Sequence, residues 1–302
     1  MYPYEHAEIL ERDLCRGVLK MSYSNIAIRH EIPADYRAVE ELTREAFWGS
    51  MTHPACDGEH LIVHKLRKQP SFVPALDFVA EIDGVIVGHI IYSLAKVVMP
   101  TGQEIEVLTF GPISVMPQYK RMGIGSALMR HSIAEAKRLG YRAIVFYGHP
   151  DYYPRFGFQR ASRFNITAPD GSSFDALMAM ELFDGALDNV SGKFFEDSIF
   201  HIDPKEVEDF DKTFPAKEPV VLPPIEVITE RLSPVVAAVM RQKGIRVLAK
   251  LQEFSGSEIM SWEGVDSQAM ETINHVLTEY GYSPKLLPSS YIIQLGHETH
   301  FI

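Results

Sequence analysis

The sequence predicts an α/β (α+β) protein, and three stretches carry that reading. Residues 76–82 and Val85–Val98 are strand patterns joined by Asp83-Gly84, a two-residue turn that makes a β-hairpin. Glu104–Val115 is a further strand pattern, which runs past Pro117 into the loop Lys120-Arg121-Met122-Gly123-Ile124-Gly125-Ser126 and then into a helix. Residues 141–147 are again apolar at strand length. Strands paired in a hairpin and then separated by a helix predict a sheet covered by helices.

Taken in order, residues 1–24 form an N-terminal extension in which Ile9, Leu10, Leu14, Val18 and Leu19 allow a short amphipathic helix. Residues 26–29 read as a first strand, and Pro33 with Asp35 opens a helix carrying Val39, Leu42 and Ala46 on one side. A second helix falls near residues 59–69. After the hairpin and the third long strand, the helix from Ile124 places Ile124, Leu128, Met129, Ile133, Ala136 and Leu139 in one half. Arg130, His131, Glu135, Lys137 and Arg138 fall in the other half. Residues 158–165 and 175–182 are expected as closing strands. The first domain is therefore read as residues 25–182. From 183 to 225 the pattern loosens: Glu206, Glu208, Asp209, Asp211 and Lys212, then Pro215, Pro219, Pro223 and Pro224, predict an acidic extension and a stiff linker. Residues 226–302 read as a small helical unit. Ser233-Pro234 starts one helix there and Gly244 ends it. Gly264-Val265-Asp266-Ser267 turns into another, with Met270, Ile273, Leu277 and Tyr280 on one face.

Composition bounds the function. With 29 basic and 40 acidic residues the formal charge is −11, which argues against a general nucleic-acid or anionic-membrane binder. The start, Met1-Tyr2-Pro3-Tyr4-Glu5-His6, shows no secretory pattern, and no apolar run reaches membrane-spanning length. Two cysteines, Cys15 and Cys56, are too few for a disulfide framework, so a reducing cytoplasmic setting is expected.

The glycine loop is the chemical centre. A helix beginning at Ile124 points its unpaired N–H groups and the positive end of its dipole back at the loop, and Lys120 and Arg121 add charge beside it. This is an anion site. No Gly-Lys-Ser/Thr ending is present, and no Gly-x-Gly-x-x-Gly with an acidic ribose partner, which excludes the P-loop and dinucleotide patterns. Lys120-Arg121-Met122-Gly123-Ile124-Gly125 resembles the Gln/Arg-x-x-Gly-x-Gly/Ala pyrophosphate loop of the GNAT N-acetyltransferases, with Lys120 in place of the usual first residue. Further on, Tyr153, Gly157 and Phe158 fill that family's Tyr-x-x-x-Gly-Phe pattern, within a Tyr-Tyr-Pro-Arg-Phe-Gly-Phe run that resembles a bacterial branch of it.

The resemblance implies a GNAT fold with a central mixed, mostly antiparallel sheet, and direct acetyl transfer from acetyl-CoA to a primary amine of a small molecule or protein. It implies that backbone N–H groups of Ile113, Ser114 and Val115 hold the pantetheine arm and carbonyl. Lys120, Arg121, Met122, Gly123, Ile124, Gly125 and Ser126 would hold the pyrophosphate. Tyr153 would be the general acid, since a hydroxyl of ordinary pKa near 10 can donate to a thiolate. Tyr152 is expected to be structural. The general base stays open: Glu104 and Glu106 lie on the relevant strand, but Val107 falls at the commonest base position. His149, just before the tyrosine motif, and His60 and His64 are candidate substrate contacts.

His53, Cys56, Asp57, His60 and His64 have metal-like spacing, yet no metal is expected, because two histidines one turn apart are more often unrelated residues. Cys56 as a covalent acetyl carrier is a further variant. The C-terminal unit resembles the helix-hairpin-helix domain of the RNA polymerase α subunit. The positions that contact DNA in that domain fall on Val235, Ala238, Ser267 and Gln268, so nucleic acid is not expected as a partner. A dimer or protein contact is. The rival reading is a transcription-associated protein that uses the first domain to sense acetyl-CoA.

Overall fold

The computed structural model of the chain describes residues 26–49, 55–56, 58–282 and 284–285; the expected N-terminal extension, His53 and Asp57 lie outside them. The sheet begins with β1 (Ala27–His30), β2 (Phe78–Ile82), β3 (Val85–Val98) and β4 (Glu104–Val115), all antiparallel neighbours. Asp83 and Gly84 both take positive φ, 51° and 77°, which is the turn that suits the twist of a two-residue hairpin. Next come β5 (Ala143–Tyr147), β6 (Gln159–Arg160), β7 (Ile166–Thr167), β8 (Leu177–Glu181) and β9 (Gly192–Phe195). The order is β1-β2-β3-β4-β5-β8-β6, with β9 beside β3 and β7. β5 runs parallel to β4, so the sheet is mixed.

Helices cover both faces. α1 (Tyr36–Phe47) and α2 (Glu59–Leu66) bury Val39, Val63 and Leu66 against Val79 and Ile91. Asp35 fixes the entry to α1, accepting from Ile32 N at 3.0 Å and from Arg29 at 2.6 Å. On the other face α3 (Ile124–Arg138) buries Leu128, Met129 and Ala136 over Phe78, Ile90, Tyr92, Leu108 and Phe146. Burying a Leu, Ile, Met or Phe side chain in this way contributes roughly 1.5–3 kcal/mol. Gly88 makes the close approach possible, because a Cβ there would sit 2.8 Å from Ile124 Cγ2. Gly140, at φ 81°, ends α3: its N–H donates to Lys137 O and that of Tyr141 to Ala136 O, a two-bond left-handed cap.

Two stretches differ from the sequence expectation. Within residues 158–165 only Gln159–Arg160 is strand; Ala161–Phe164 is a 3₁₀ turn closed by Asn165 at φ 55°. Residues 183–225, expected as an acidic extension and linker, instead contribute β9 and α4 (Pro204–Asp211). Phe194 of β9 is fully buried among Val97, Val107 and Val145, which anchors the strand. The acidic run belongs to α4 and is paired: Arg44 holds Asp211 at 2.6 Å, Lys65 holds Glu206 at 2.8 Å, and Lys205 holds Asp209 at 3.0 Å.

The last part holds α5 (Glu226–Thr229), α6 (Pro234–Gln242), a 3₁₀ turn at Leu248–Glu253, α7 (Gly256–Met260) and α8 (Ser267–Glu279). Side chains of Ser233, Ser255 and Asp266 cap α6, α7 and α8. The unit has its own apolar core, including Met240, Leu251, Ile259, Ile273 and Leu277. No helix of the described residues is long and apolar enough to cross a membrane.

Candidate active site

β4 and β5 share one registered pair, Leu108 with Ile144, so beyond that point the two parallel strands leave an edge of β4 unpaired. On its other side β4 follows β3, with a register slip that places one extra β4 residue between Phe110 and Ile113. Met116 N donates to Val87 O at 2.9 Å. Since amide directions alternate along a strand, Ser114 N–H also faces β3, and those of Ile113 and Val115 face the open gap. The Ser114 side chain is buried and bonds Thr43 Oγ1 at 2.9 Å, which ties β4 to α1.

The gap leads to the glycine loop. Arg121 and Gly123 both take left-handed φ, 66° and 86°, and α3 starts with no side-chain cap. The first intrahelical bond in view is from Ala127 N to Gly123 O at 2.9 Å, leaving Ile124, Gly125 and Ser126 N–H groups at the mouth of the helix. A cavity of about 450 Å³ lies over them, bordered by Val115, Lys120, Arg121, Tyr152 and Arg155. Lys120 Nζ donates to Ala46 O at 3.4 Å, so its ammonium is shared with the end of α1. Tyr152 stands here, facing the loop: its hydroxyl is 3.7 Å from where a Cβ on Gly125 would lie. Sequence reasoning expected a structural role for Tyr152; its place directly before the tyrosine motif was the available signal.

Tyr153 begins a 3₁₀ turn, Tyr153–Phe156, that leads into β6, the strand beside β8. Its ring meets Phe146 edge-on at 4.6 Å and Phe110 at 5.7 Å, and Gly148 leaves room for it. Burial raises its pKa above the ordinary tyrosine value, so the hydroxyl keeps its proton at neutral pH. That hydroxyl has no hydrogen-bond partner among the described residues.

The three histidines stand in two places. His149 lies against the C-terminal unit, with Nε2 3.4 Å from Gln252 Oε1 and 3.5 Å from Lys285 Nζ. Burial, and then the Lys285 charge, lower its pKa to about 4. His60 and His64 share α2 but turn to different partners. His60 Nδ1 is 3.2 Å from Cys56 Sγ, and His64 Nδ1 is 2.8 Å from Glu40. Burial raises the Cys56 pKa to about 12, so the thiol stays protonated and is a poor acetyl carrier. Among the described residues the potential metal ligands that gather within 4.8 Å are Glu31, Asp77 and His89, not these histidines. Arg67 already holds Glu31 at 2.6 Å, and Asp77 holds His89 Nε2 at 2.9 Å, while His89 Nδ1 is buried without a partner among the described residues. Glu104 pairs with Lys96 at 2.6 Å, Glu106 is exposed and Val107 is core.

Residues 39–158 match the family "Acetyltransferase (GNAT) family". The chain is 27% identical over 165 residues to "Uncharacterized N-acetyltransferase YhbS" of Escherichia coli K12, covering 55% of this chain and 92% of that protein. It is 33% identical over 98 residues to "Uncharacterized N-acetyltransferase YjhQ" of the same organism, covering 32% of this chain and 54% of that one. Among solved structures, the Escherichia coli YhbS acetyltransferase in complex with CoA superposes with a TM-score of 0.52 at 28% identity, covering 59% of this chain and 92% of that chain.

Proposed function

We propose that this chain carries a domain of the acetyltransferase (GNAT) family, whose model matches residues 39–158, and that it moves the acetyl group of acetyl-CoA directly onto a primary amine. The observation that carries this is the unpaired edge of β4 leading to an uncapped helix N-terminus, with Tyr153 beside it. CoA is bound in the YhbS structure that this chain resembles. Here the pyrophosphate would rest on the N–H groups of Ile124, Gly125 and Ser126, with Arg121 and Arg155 beside it. Ile113 and Val115 N–H groups would hold the pantetheine arm and the thioester oxygen, on which charge develops as the amine attacks. Tyr153 would give its proton to the leaving thiolate.

The C-terminal helical unit is read as a protein-contact module of helix-hairpin-helix type. What supports this over nucleic-acid binding is that much of its positive charge is engaged. Arg231 pairs with Glu279 at 2.7 Å, Lys250 with Glu253 at 2.6 Å, and Lys243 lies over Trp262.

The test is free-thiol release from acetyl-CoA against a panel of amines, comparing wild type with Tyr153→Phe, together with calorimetric acetyl-CoA binding. Turnover lost in Tyr153→Phe with binding retained supports the assignment. Failure of wild type to bind acetyl-CoA overturns it.

A further inference from the structure

Resting on the acetyl-transfer reading above, we propose that the acceptor is a small arylalkylamine, and that its ring is held in a cavity between the end of β5 and the C-terminal helical unit.

The cavity is built from both parts of the chain. Its volume is about 380 Å³, and Tyr147, Gly148, His149 and Phe174 border it on one side, Phe254 and Glu258 on the other. Two contacts bring these walls together. Ser255 Oγ donates to Asp175 Oδ2 at 2.6 Å, and each of these residues directly follows an aromatic one, so the bond sets Phe254 against Phe174. His149 Nε2 lies 3.4 Å from Gln252 Oε1, which fixes the loop after β5 to the turn before Phe254. Residues 174, 254 and 258 all lie outside the segment matched to the family, so this wall belongs to what the chain adds to it.

The cavity adjoins the acetyl-transfer site. Tyr147 is the last residue of β5, three residues past Ile144, whose pairing with Leu108 is the one registered pair of β4 and β5. Gly148 borders the Tyr153 ring: a Cβ on Gly148 would lie 2.6 Å from Tyr153 Cε2. One residue of the cavity wall therefore touches the ring that carries the candidate general acid.

Aromatic surface selects the ligand. Tyr147 and Phe174 stack nearly parallel, 14° apart with centroids at 5.8 Å, yet remain 38% and 41% exposed. Paired rings left open on a concave wall suit a flat apolar ligand, which stacks on one ring or meets it edge-on. The volume is at the small end of the range for small-molecule sites, roughly 300–1,000 Å³, and takes one ring with a short tail. Charge favours a cation. The Glu258 carboxylate accepts from the backbone N–H groups of Ser255 at 2.7 Å and Asp175 at 3.3 Å, which leaves its negative charge in place. Lys250 pairs with Glu253, and Lys285, which donates to Gln252 O at 3.1 Å, is only 2% exposed and forms no part of the wall. A ring seated among Tyr147, Phe174 and Phe254 leaves a short tail to carry its amine past Gly148 to the gap.

The experiment compares full-length wild type, Phe174→Ala and Phe254→Ala in thiol release from acetyl-CoA. The acceptors are 2-phenylethylamine, ethylamine, spermidine and a trialanine peptide, with acetyl-CoA affinity and melting midpoints measured alongside. In wild type 2-phenylethylamine is expected to have the highest kcat/KM. Both variants should raise its KM roughly 10-fold, while kcat, the ethylamine KM and acetyl-CoA affinity hold. Phe254 also packs edge-on against Trp262 at 5.1 Å, so Phe174→Ala carries the test should Phe254→Ala lose stability. An unchanged 2-phenylethylamine KM in Phe174→Ala overturns the proposal, and so does any of the other three as the better acceptor. Should no amine turn over, calorimetry of 2-phenylethylamine against CoA-saturated protein decides: binding weakened by Phe174→Ala upholds the cavity, and no binding overturns it. Failure of wild type to bind acetyl-CoA would instead overturn the transferase reading, and the acceptor assignment with it.

Discussion

Thr43 Oγ1 and Ser114 Oγ are hydrogen-bonded at 2.9 Å, both side chains buried, and this one bond joins α1 to the part of β4 whose amides face the gap. Thr43→Val leaves the Ser114 hydroxyl without its partner, at a cost of about 1–3 kcal/mol. Thr43→Ser retains most of the stability. The double variant Thr43→Val with Ser114→Ala should be less destabilised than the sum of the two single changes, because no orphaned hydroxyl remains. Urea unfolding of the four proteins checks this; strict additivity would show that the bond is not the coupling.

The mouth of α3 is sensitive to bulk. A Cβ on Gly125 lies at ordinary contact distance, 3.5 Å from Val115 Cγ2 and 3.7 Å from the Tyr152 hydroxyl, so a larger side chain must enter the cavity between them. Gly125→Val is expected to weaken acetyl-CoA binding by at least 10-fold while leaving the thermal midpoint within a few degrees. Calorimetric titration and a melting scan are the measurements, and unchanged affinity would place the anion elsewhere.

Close packing between α3 and β3 makes Gly88 the opposite case. A Cβ there meets Ile124 Cγ2 at 2.8 Å and Leu128 Cδ1 at 3.0 Å, so Gly88→Val overpacks the core and is expected to cost about 1–3 kcal/mol. Acetyl-CoA affinity should fall with it, since Ile124 opens the anion-binding turn. A stable Gly88→Val protein with normal affinity would contradict the packing.

The C-terminal helical unit is fastened to the sheet-bearing part of the chain through polar groups. Ser255 Oγ donates to Asp175 Oδ2 at 2.6 Å and caps α7 by accepting from Glu258 N at 3.1 Å. Ser255→Ala removes both bonds and is expected to cost about 1–2 kcal/mol. The loss should show in unfolding of the C-terminal unit, followed by the fluorescence of Trp262, ahead of the rest of the chain. Coincident unfolding at the wild-type midpoint would refute it.

The same seam titrates. His149 has a folded pKa of about 4 against an ordinary 6.5, from burial and the Lys285 charge. Between those values the unfolded chain binds the proton and the folded one does not, so stability from this group is full above about pH 6.5 and is lost as pH falls toward 4. Glu31 and Asp77, raised to about 7 and about 6 by burial, act in the opposite direction over an overlapping range. The comparison with His149→Gln isolates the histidine. Wild type should lose up to roughly 3 kcal/mol relative to the variant on going from pH 7 to pH 4. A constant difference would show that His149 is solvated.

Much of the fold was legible because its signals are local. Asp83-Gly84 sets its turn by backbone preference, Gly123 and Gly140 bracket α3, and the caps at Ser233 and Asp266 need only neighbouring amides. The candidate anion site was legible for the same reason, being a loop and a helix start contiguous in sequence. Within residues 183–225 the strand and helix were not legible because Phe194 and Phe195 are a short apolar pair among charged residues. Only the burial of Phe194 under Val97 and Val107 makes β9 a strand, and only Arg44 and Lys65, far away in sequence, turn an acidic run into a docked helix.

The sequence by itself determined the element types, the glycine loop and the tyrosine turn, since these depend on φ preferences, side-chain period and bonds within a few residues. Only the tertiary structure decided which amides of β4 stay unpaired and that His149 faces Gln252 and Lys285 of the C-terminal unit. Those relations come from strand pairing and burial between segments up to a hundred or more residues apart, and no local pattern encodes where two such segments meet.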